Sequence, residues 1–103
     1  MSGPAAPARV PLMIPALNES KALPATIANV AALDPQPDEI LLIDGGSEDD
    51  TLALGQAAGW RAIVSPVRGR GPQINFGVEQ AHGDLVCILH ADSLLPSDAI
   101  AHI

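Results

Sequence analysis

Apolar residues fall in four short blocks along the chain, separated by stretches where apolar positions recur at helical spacing. The clearest block, Ile40-Leu41-Leu42-Ile43, does not alternate with polar residues, so Glu39 to Ile43 reads as a strand buried on both faces. Val10 to Ile14 reads as a strand with Pro11 near its start, where a missing N–H is tolerated. Pro15-Ala16-Leu17-Asn18-Glu19-Ser20 then reads as a turn. Arg61 to Val64 and Leu85 to Leu89 supply two more strands. Between the first two strands, Leu23, Ile27, Val30 and Ala31 share one helical face. That helix opens near Pro24, a residue suited to the first turn, and Asp34-Pro35-Gln36-Pro37-Asp38 stops it. A second helix is expected from about Glu48 to Ala58, with Ser47 as N-cap and Gly59 as the residue past the C-cap. A third runs from Pro72 to near Gly83, and a last begins at Ser97 or Asp98.

Strands and helices therefore alternate with short connections. This predicts an α/β fold: a mostly parallel sheet with right-handed crossovers and helices on both faces. A Rossmann-like strand order, 3-2-1-4, is expected. In such sheets ligands bind beyond the carboxyl ends of the strands. Asn18 or Glu19, Asp44 and Asp92 follow strands one, two and four and would meet at that edge. Asp44 leads into Gly45-Gly46, which permit a sharp turn, and either faces the ligand crevice or caps its own turn.

Composition narrows the choice of partner. The chain has 103 residues, enough for one small domain, with 48% hydrophobic and 17% charged residues. Trp60 and Phe76 are its aromatic residues, so the core must be aliphatic. A net charge of −7 argues against nucleic acid. Cys87 lies in an apolar run and reads as a buried, inert thiol. No apolar run approaches the ~20 residues of a membrane span, and Met1 to Ala8 reads as a disordered start rather than a signal peptide. A cytoplasmic location is the default. The open edge beside the fourth strand invites pairing, so a homo-oligomer is expected.

Arg68-Gly69-Arg70-Gly71 opens the third helix; guanidinium groups at a helix start suit a phosphate or a base, or form a solvated basic turn. Gln73 and Asn75 lie in its first turn, where Asn75 turns inward or faces water. His90-x-Asp92 offers a carboxylate that would hold Mg²⁺ or Mn²⁺ together with ligand phosphates. A zinc site is poorly supported, because Cys87, His82 and His102 lack a ligand spacing. No Gly-x-Gly-x-x-Gly follows the first strand and no Walker sequence occurs, which removes two nucleotide-binding classes. Asp44-Gly45-Gly46 leaves open a methyltransferase-like fold binding S-adenosylmethionine, and a non-catalytic nucleotide-binding or assembly module is a third class.

Four blocks together resemble the N-terminal half of a family 2 glycosyltransferase with a GT-A fold. They are Ile14-Pro15-Ala16-Leu17-Asn18-Glu19, Ile43-Asp44-Gly45-Gly46-Ser47 with Asp50-Thr51, Arg70-Gly71-x-Gln73-x-Asn75-x-Gly77, and Leu89-His90-Ala91-Asp92 after Gly83-Asp84. The resemblance spans residues 10–103 and implies binding of a nucleoside-diphosphate sugar, commonly a UDP-sugar. It implies that Pro15, Asn18, Glu19 and Gly46 belong to the nucleotide pocket, that Asp44 accepts from the base, and that Arg70 holds base or diphosphate. Asp92 would match the last acid of the family's Asp-x-Asp motif and ligate Mn²⁺ or Mg²⁺. Two positions depart from the pattern: Gly45 stands where a second acid is usual, and His90 replaces the first acid of Asp-x-Asp. In the family the catalytic base comes from a later segment, so this stretch is expected to bind the donor without transferring sugar.

Overall fold

A computed structural model describes residues 10–81 and 86–102. The expected disorder of Met1 to Ala8 lies outside them. Four strands, β1 (Pro11–Ala16), β2 (Glu39–Asp44), β3 (Arg61–Val64) and β4 (Cys87–Ile88), form one sheet in the order β3-β2-β1-β4. All the pairings are parallel, with Ile14 beside Leu42, Leu42 beside Ala62 and Met13 beside Ile88. Three helices connect them: α1 (Leu23–Ala31), α2 (Thr51–Ala57) and α3 (Arg70–Gln80). The expected order and helical layers are those observed.

β1 and β2 send alternate side chains into two cores. Leu12, Ile14, Ala16 and Leu42 face α1 and α2, where Leu23 and Val30 join them. Met13, Leu41 and Ile43 face α3, against Ile74 and Phe76. Each of the large residues at 12–14 and 41–43 is fully buried, which stabilises the fold by roughly 1.5–3 kcal/mol per side chain. Helix α3 lies close to the sheet because Gly77 has no side chain: a Cβ there would stand 2.6 Å from Met13 Sδ and 3.0 Å from Ile43 Cγ1.

Several boundaries move. β1 runs through Pro15 and Ala16, which were expected in a turn. The Ala16 carbonyl accepts from Gly45 on the β2 side, whereas the Met13 carbonyl accepts from Leu89 on the β4 side. Backbone groups alternate in direction along a strand, so Pro11 and Pro15 turn their missing N–H toward β4. They flank the short stretch, Leu12 and Met13, that pairs there, and β4 extends only from Cys87 to Ile88 rather than from 85 to 89. Leu85 lies outside the described residues. Ile88 on this edge is exposed, and Cys87 is half-buried rather than buried; burial pushes its thiol pKa up.

α2 begins at Thr51, three residues later than Glu48, because the acids before it are engaged in the loop described below. It ends at Ala57, one residue short of the expected Ala58, and Gly59 stands just past the C-cap as expected. Gly59 has φ +83°, its N–H donates to Gln56, and the Trp60 N–H donates to Gly55, the paired bonds of a Schellman stop. α3 starts at Arg70, ahead of Pro72, and ends at Gln80 rather than near Gly83. The last segment is a 3₁₀ turn over Ala99–His102. On α1 the buried face is Leu23, Thr26 and Val30, while Ala31 is exposed.

Candidate nucleotide site

A cavity of about 300 Å³ opens at the carboxyl ends of β1, β2 and β4. Pro15, Ala16, Leu17 and Glu19 line it from the end of β1, Gly45 from β2, Gly69, Arg70 and Gln73 from α3, and His90, Ala91 and Asp92 from the segment after β4. Of the residues expected in the site, Pro15, Glu19, Arg70 and Asp92 are brought together there. Asn18, Asp44 and Gly46 do not line it.

Those three build the wall's shape. Asp44 is 2% exposed, and its carboxylate accepts from the Gly46 N–H at 3.1 Å, the Ser47 N–H at 3.0 Å and the Ser47 hydroxyl. Ser47, expected as a helix cap, thus closes an Asx turn instead. Gly46 has φ +102°, a conformation glycine adopts without strain, and the Arg68 guanidinium lies over it. Asn18 has φ +53° and accepts from the Glu48 N–H at 2.8 Å, while its own N–H donates to Ser47 Oγ at 2.8 Å. The Glu19 N–H donates to Thr51 Oγ1 at 2.9 Å, and the Ser20 N–H to Asp49 Oδ2 at 3.2 Å. Asp49 also accepts from the Thr51 hydroxyl and N–H. The Thr51 hydroxyl bond is the main reason its pKa is lowered from 3.8 to about 2. The loop after β1 is thereby laced to the loop after β2, and the Glu19 carbonyl, accepting from Ala22 and Leu23, launches α1 from the same point.

The opposite wall is held by α1. The buried Thr26 hydroxyl donates to the Ala91 carbonyl at 2.5 Å. Asn29 exchanges two bonds with Leu95, donating to its carbonyl at 2.8 Å and accepting its N–H at 2.7 Å. These contacts fix the segment that carries His90 and Asp92. Thr26 and Asn29 were missed from the sequence; the signal was two polar residues interrupting an otherwise apolar helix.

Arg70 Nη1 lies 3.1 Å from His90 Nδ1. Guanidinium can only donate, so this bond requires a neutral ring with its proton on Nε2. The Nδ1 lone pair is thereby occupied. Among the described residues no group of three or more His, Cys, Asp or Glu is placed to hold a metal ion. The donor set fits an ion that takes one carboxylate, Asp92, and completes its shell with ligand phosphates and water. It does not fit an ion held by protein alone.

Gln73 was the other omission. It is 6% exposed, and its Nε2 donates to the Ala16 carbonyl at 3.1 Å and the Ile43 carbonyl at 2.6 Å, joining the ends of β1 and β2 at the cavity floor. Asn75, the amide expected to turn inward or face water, is exposed.

A parallel α/β sheet with a polar crevice at its switch point, walled by a helix start and by acids that follow two strand ends, is the architecture in which ligands bind beyond the carboxyl ends of the strands. The glycosyl transferase family 2 profile matches residues 12–103, and the chain belongs to that family. A relative from Pseudomonas syringae, an undecaprenyl-phosphate 4-deoxy-4-formamido-L-arabinose transferase, is 35% identical over 104 residues, covering 91% of this chain and 31% of the relative. An uncharacterized glycosyltransferase of Mycobacterium tuberculosis is 32% identical, covering 81% of this chain and 36% of the relative. Among solved structures, the M. tuberculosis glucosyl-3-phosphoglycerate synthase in complex with Mn²⁺, UDP and glucosyl-3-phosphoglycerate superposes with a TM-score of 0.74 at 28% identity, over 82% of this chain and 33% of that one. A Pyrobaculum calidifontis mannosyltransferase bound to GDP-Man and Mn²⁺ shares the fold, with a TM-score of 0.80 at 24% identity, over 90% of this chain and 30% of that one. The fold is therefore part of a GT-A domain, and the chain spans about a third of the length of these proteins. Family membership displaces the methyltransferase alternative. No helix among the described residues is long and apolar enough to cross a membrane.

Proposed function

We propose that this chain is the donor-binding part of an inverting family 2 glycosyltransferase and holds a nucleoside-diphosphate sugar, a UDP-sugar, in the cavity between Glu19, Arg70 and Asp92. One observation carries the reading: Pro15, Glu19, Arg70 and Asp92, from separate stretches of sequence, line a single crevice at the strand ends. The choice of UDP and a divalent ion is supported by the mycobacterial synthase bound to both. Arg70, at the start of α3, is the cation for the diphosphate. Asp44, Asn18 and Gly46 contribute by setting the shape of the nucleotide wall. Mn²⁺ or Mg²⁺ on Asp92 would neutralise the leaving diphosphate. The cavity's two carboxylates, Glu19 and Asp92, both serve the donor in this reading, so the 103-residue chain binds donor without passing the sugar to an acceptor.

Calorimetry tests this. UDP is expected to bind in preference to S-adenosylmethionine, to bind more tightly with Mn²⁺ than with chelator, and to lose that enhancement in Asp92→Ala. The reverse ligand preference would sink the donor-site reading, and equal affinity with Mn²⁺ and chelator would sink the metal. Acceptor-dependent product from a radiolabelled UDP-sugar, lost in Asp92→Ala, would show that this chain transfers after all.

A further inference from the structure

The orientation of the Gln73 amide is dictated by its neighbours. Only an NH₂ group can donate to two carbonyls at once, so Nε2 must face Ala16 and Ile43. The amide oxygen faces away from both, and it makes no hydrogen bond with any described residue. Yet no buried side-chain nitrogen or oxygen among the described residues lacks a partner. Oε1 is therefore not sealed in; it opens onto the cavity that Gln73 lines. Gly45 helps to keep it open, since a Cβ at that position would stand 3.2 Å from Oε1.

The remaining polar groups of the cavity divide by charge. Arg70 offers only donors, and His90, its Nδ1 occupied, offers the Nε2 proton. Glu19 and Asp92 are anionic acceptors. Gln73 Oε1 is a neutral acceptor one turn along α3 from Arg70, set between the ends of β1 and β2 and flanked by Ala16 and Gly45. A diphosphate drawn to Arg70 leaves the neutral end of the nucleotide to this apolar floor. Asp44 is not on the cavity surface, and its carboxylate is already engaged by Gly46 and Ser47.

We propose that Gln73 Oε1 is a specificity-determining acceptor for the ring N–H of the nucleobase, an imide N–H such as N3–H of uracil. The assignment rests on the nucleotide reading of the cavity. It places base recognition on a side chain from α3, held rigid by the two strand-end carbonyls it bridges.

The test compares binding of UDP and N3-methyl-UDP by calorimetry. The wild-type chain is expected to prefer UDP by about tenfold or more, because a buried acceptor left without its donor is costly. Gly45→Ala crowds the oxygen most, its Cβ standing 3.2 Å from Oε1 and 3.4 Å from Nε2; Gly45 is not among the glycines with positive φ, so alanine brings no backbone strain. The preference is expected to shrink in Gly45→Ala and to vanish in Gln73→Met. Should Gln73→Met fail to fold, the wild type and Gly45→Ala decide the matter. An undiminished preference in the variants, or equal binding of both ligands by the wild type, overturns the Gln73 assignment while UDP binding stands. Failure of the wild type to bind either ligand overturns the nucleotide site itself, and this assignment with it.

Discussion

Thr26→Val isolates the bond that positions the Asp92 segment. Valine keeps the β-branched shape of threonine, and the site is 1% exposed, so packing changes little. What is lost is the donor to the Ala91 carbonyl, together with a weaker approach to Ala22 at 3.4 Å. Ala91 is 2% exposed, so water cannot readily replace the hydroxyl. An unmade bond to a buried carbonyl costs ~1–3 kcal/mol, and the methyl that replaces the hydroxyl returns up to ~0.8 kcal/mol of it. The expected net loss is about 1–2 kcal/mol, a large share of the 5–15 kcal/mol typical of a domain. Urea unfolding should show a lower midpoint at unchanged slope. The variant should also weaken the Mn²⁺ enhancement of UDP binding more than metal-free UDP binding, because Ala91 immediately precedes Asp92. Thr26→Ser keeps the hydroxyl and is the control: it should lose some stability and retain the metal enhancement. A Thr26→Val chain as stable as wild type, with its Mn²⁺ effect intact, would refute the reasoning.

Two further outcomes follow from the packing and the loops. Gly77→Ala forces a Cβ against Met13 and Ile43; it should destabilise by roughly 1–3 kcal/mol in urea unfolding, and a neutral result would mean that α3 can slide off the sheet. Asp49 has a folded pKa of about 2 against 3.8, so its contribution is present above pH 3.8 and is lost as the pH falls through about 2. Asp49→Asn should therefore flatten the acid limb of the stability profile between those values, and a limb unchanged from wild type would show that the Thr51 bond does not hold the charged form.

The sheet was legible because its strands are continuous apolar runs between turn residues. β3 has the bounds read from sequence, and β2 gains only Asp44. β1 was cut short because two prolines argue locally against a strand. They are accommodated because both face the side where β4 pairs only with Leu12 and Met13. The late start of α2 was hidden for a related reason. Ser47, Glu48, Asp49 and Asp50 are good helix-start residues, but the loop after β1 competes for them: Ser47 and Asp49 accept its N–H groups, and Glu48 donates to Asn18. Capping preferences are local, and these bonds join positions about thirty residues apart.

The site divides along the same line. Glu19 and Asp92 follow strand ends by topology and line the crevice, whereas Asp44, expected there on the same ground, turns its carboxylate into its own loop, and Pro15 was expected there only from the resemblance. Gln73 could not be separated from Asn75 by composition, since both are amides in the first turns of α3. Geometry separates them. Gln73 is four residues before Gly77, on the row that faces the sheet, and Gly77 lets that row approach until an amide can reach the strand-end carbonyls. The glycine that brings the helix close and the glutamine that uses the closeness thus form one device. Its consequence is chemical: with Nε2 fixed on two backbone oxygens, Oε1 is the part of the side chain left for a ligand to read.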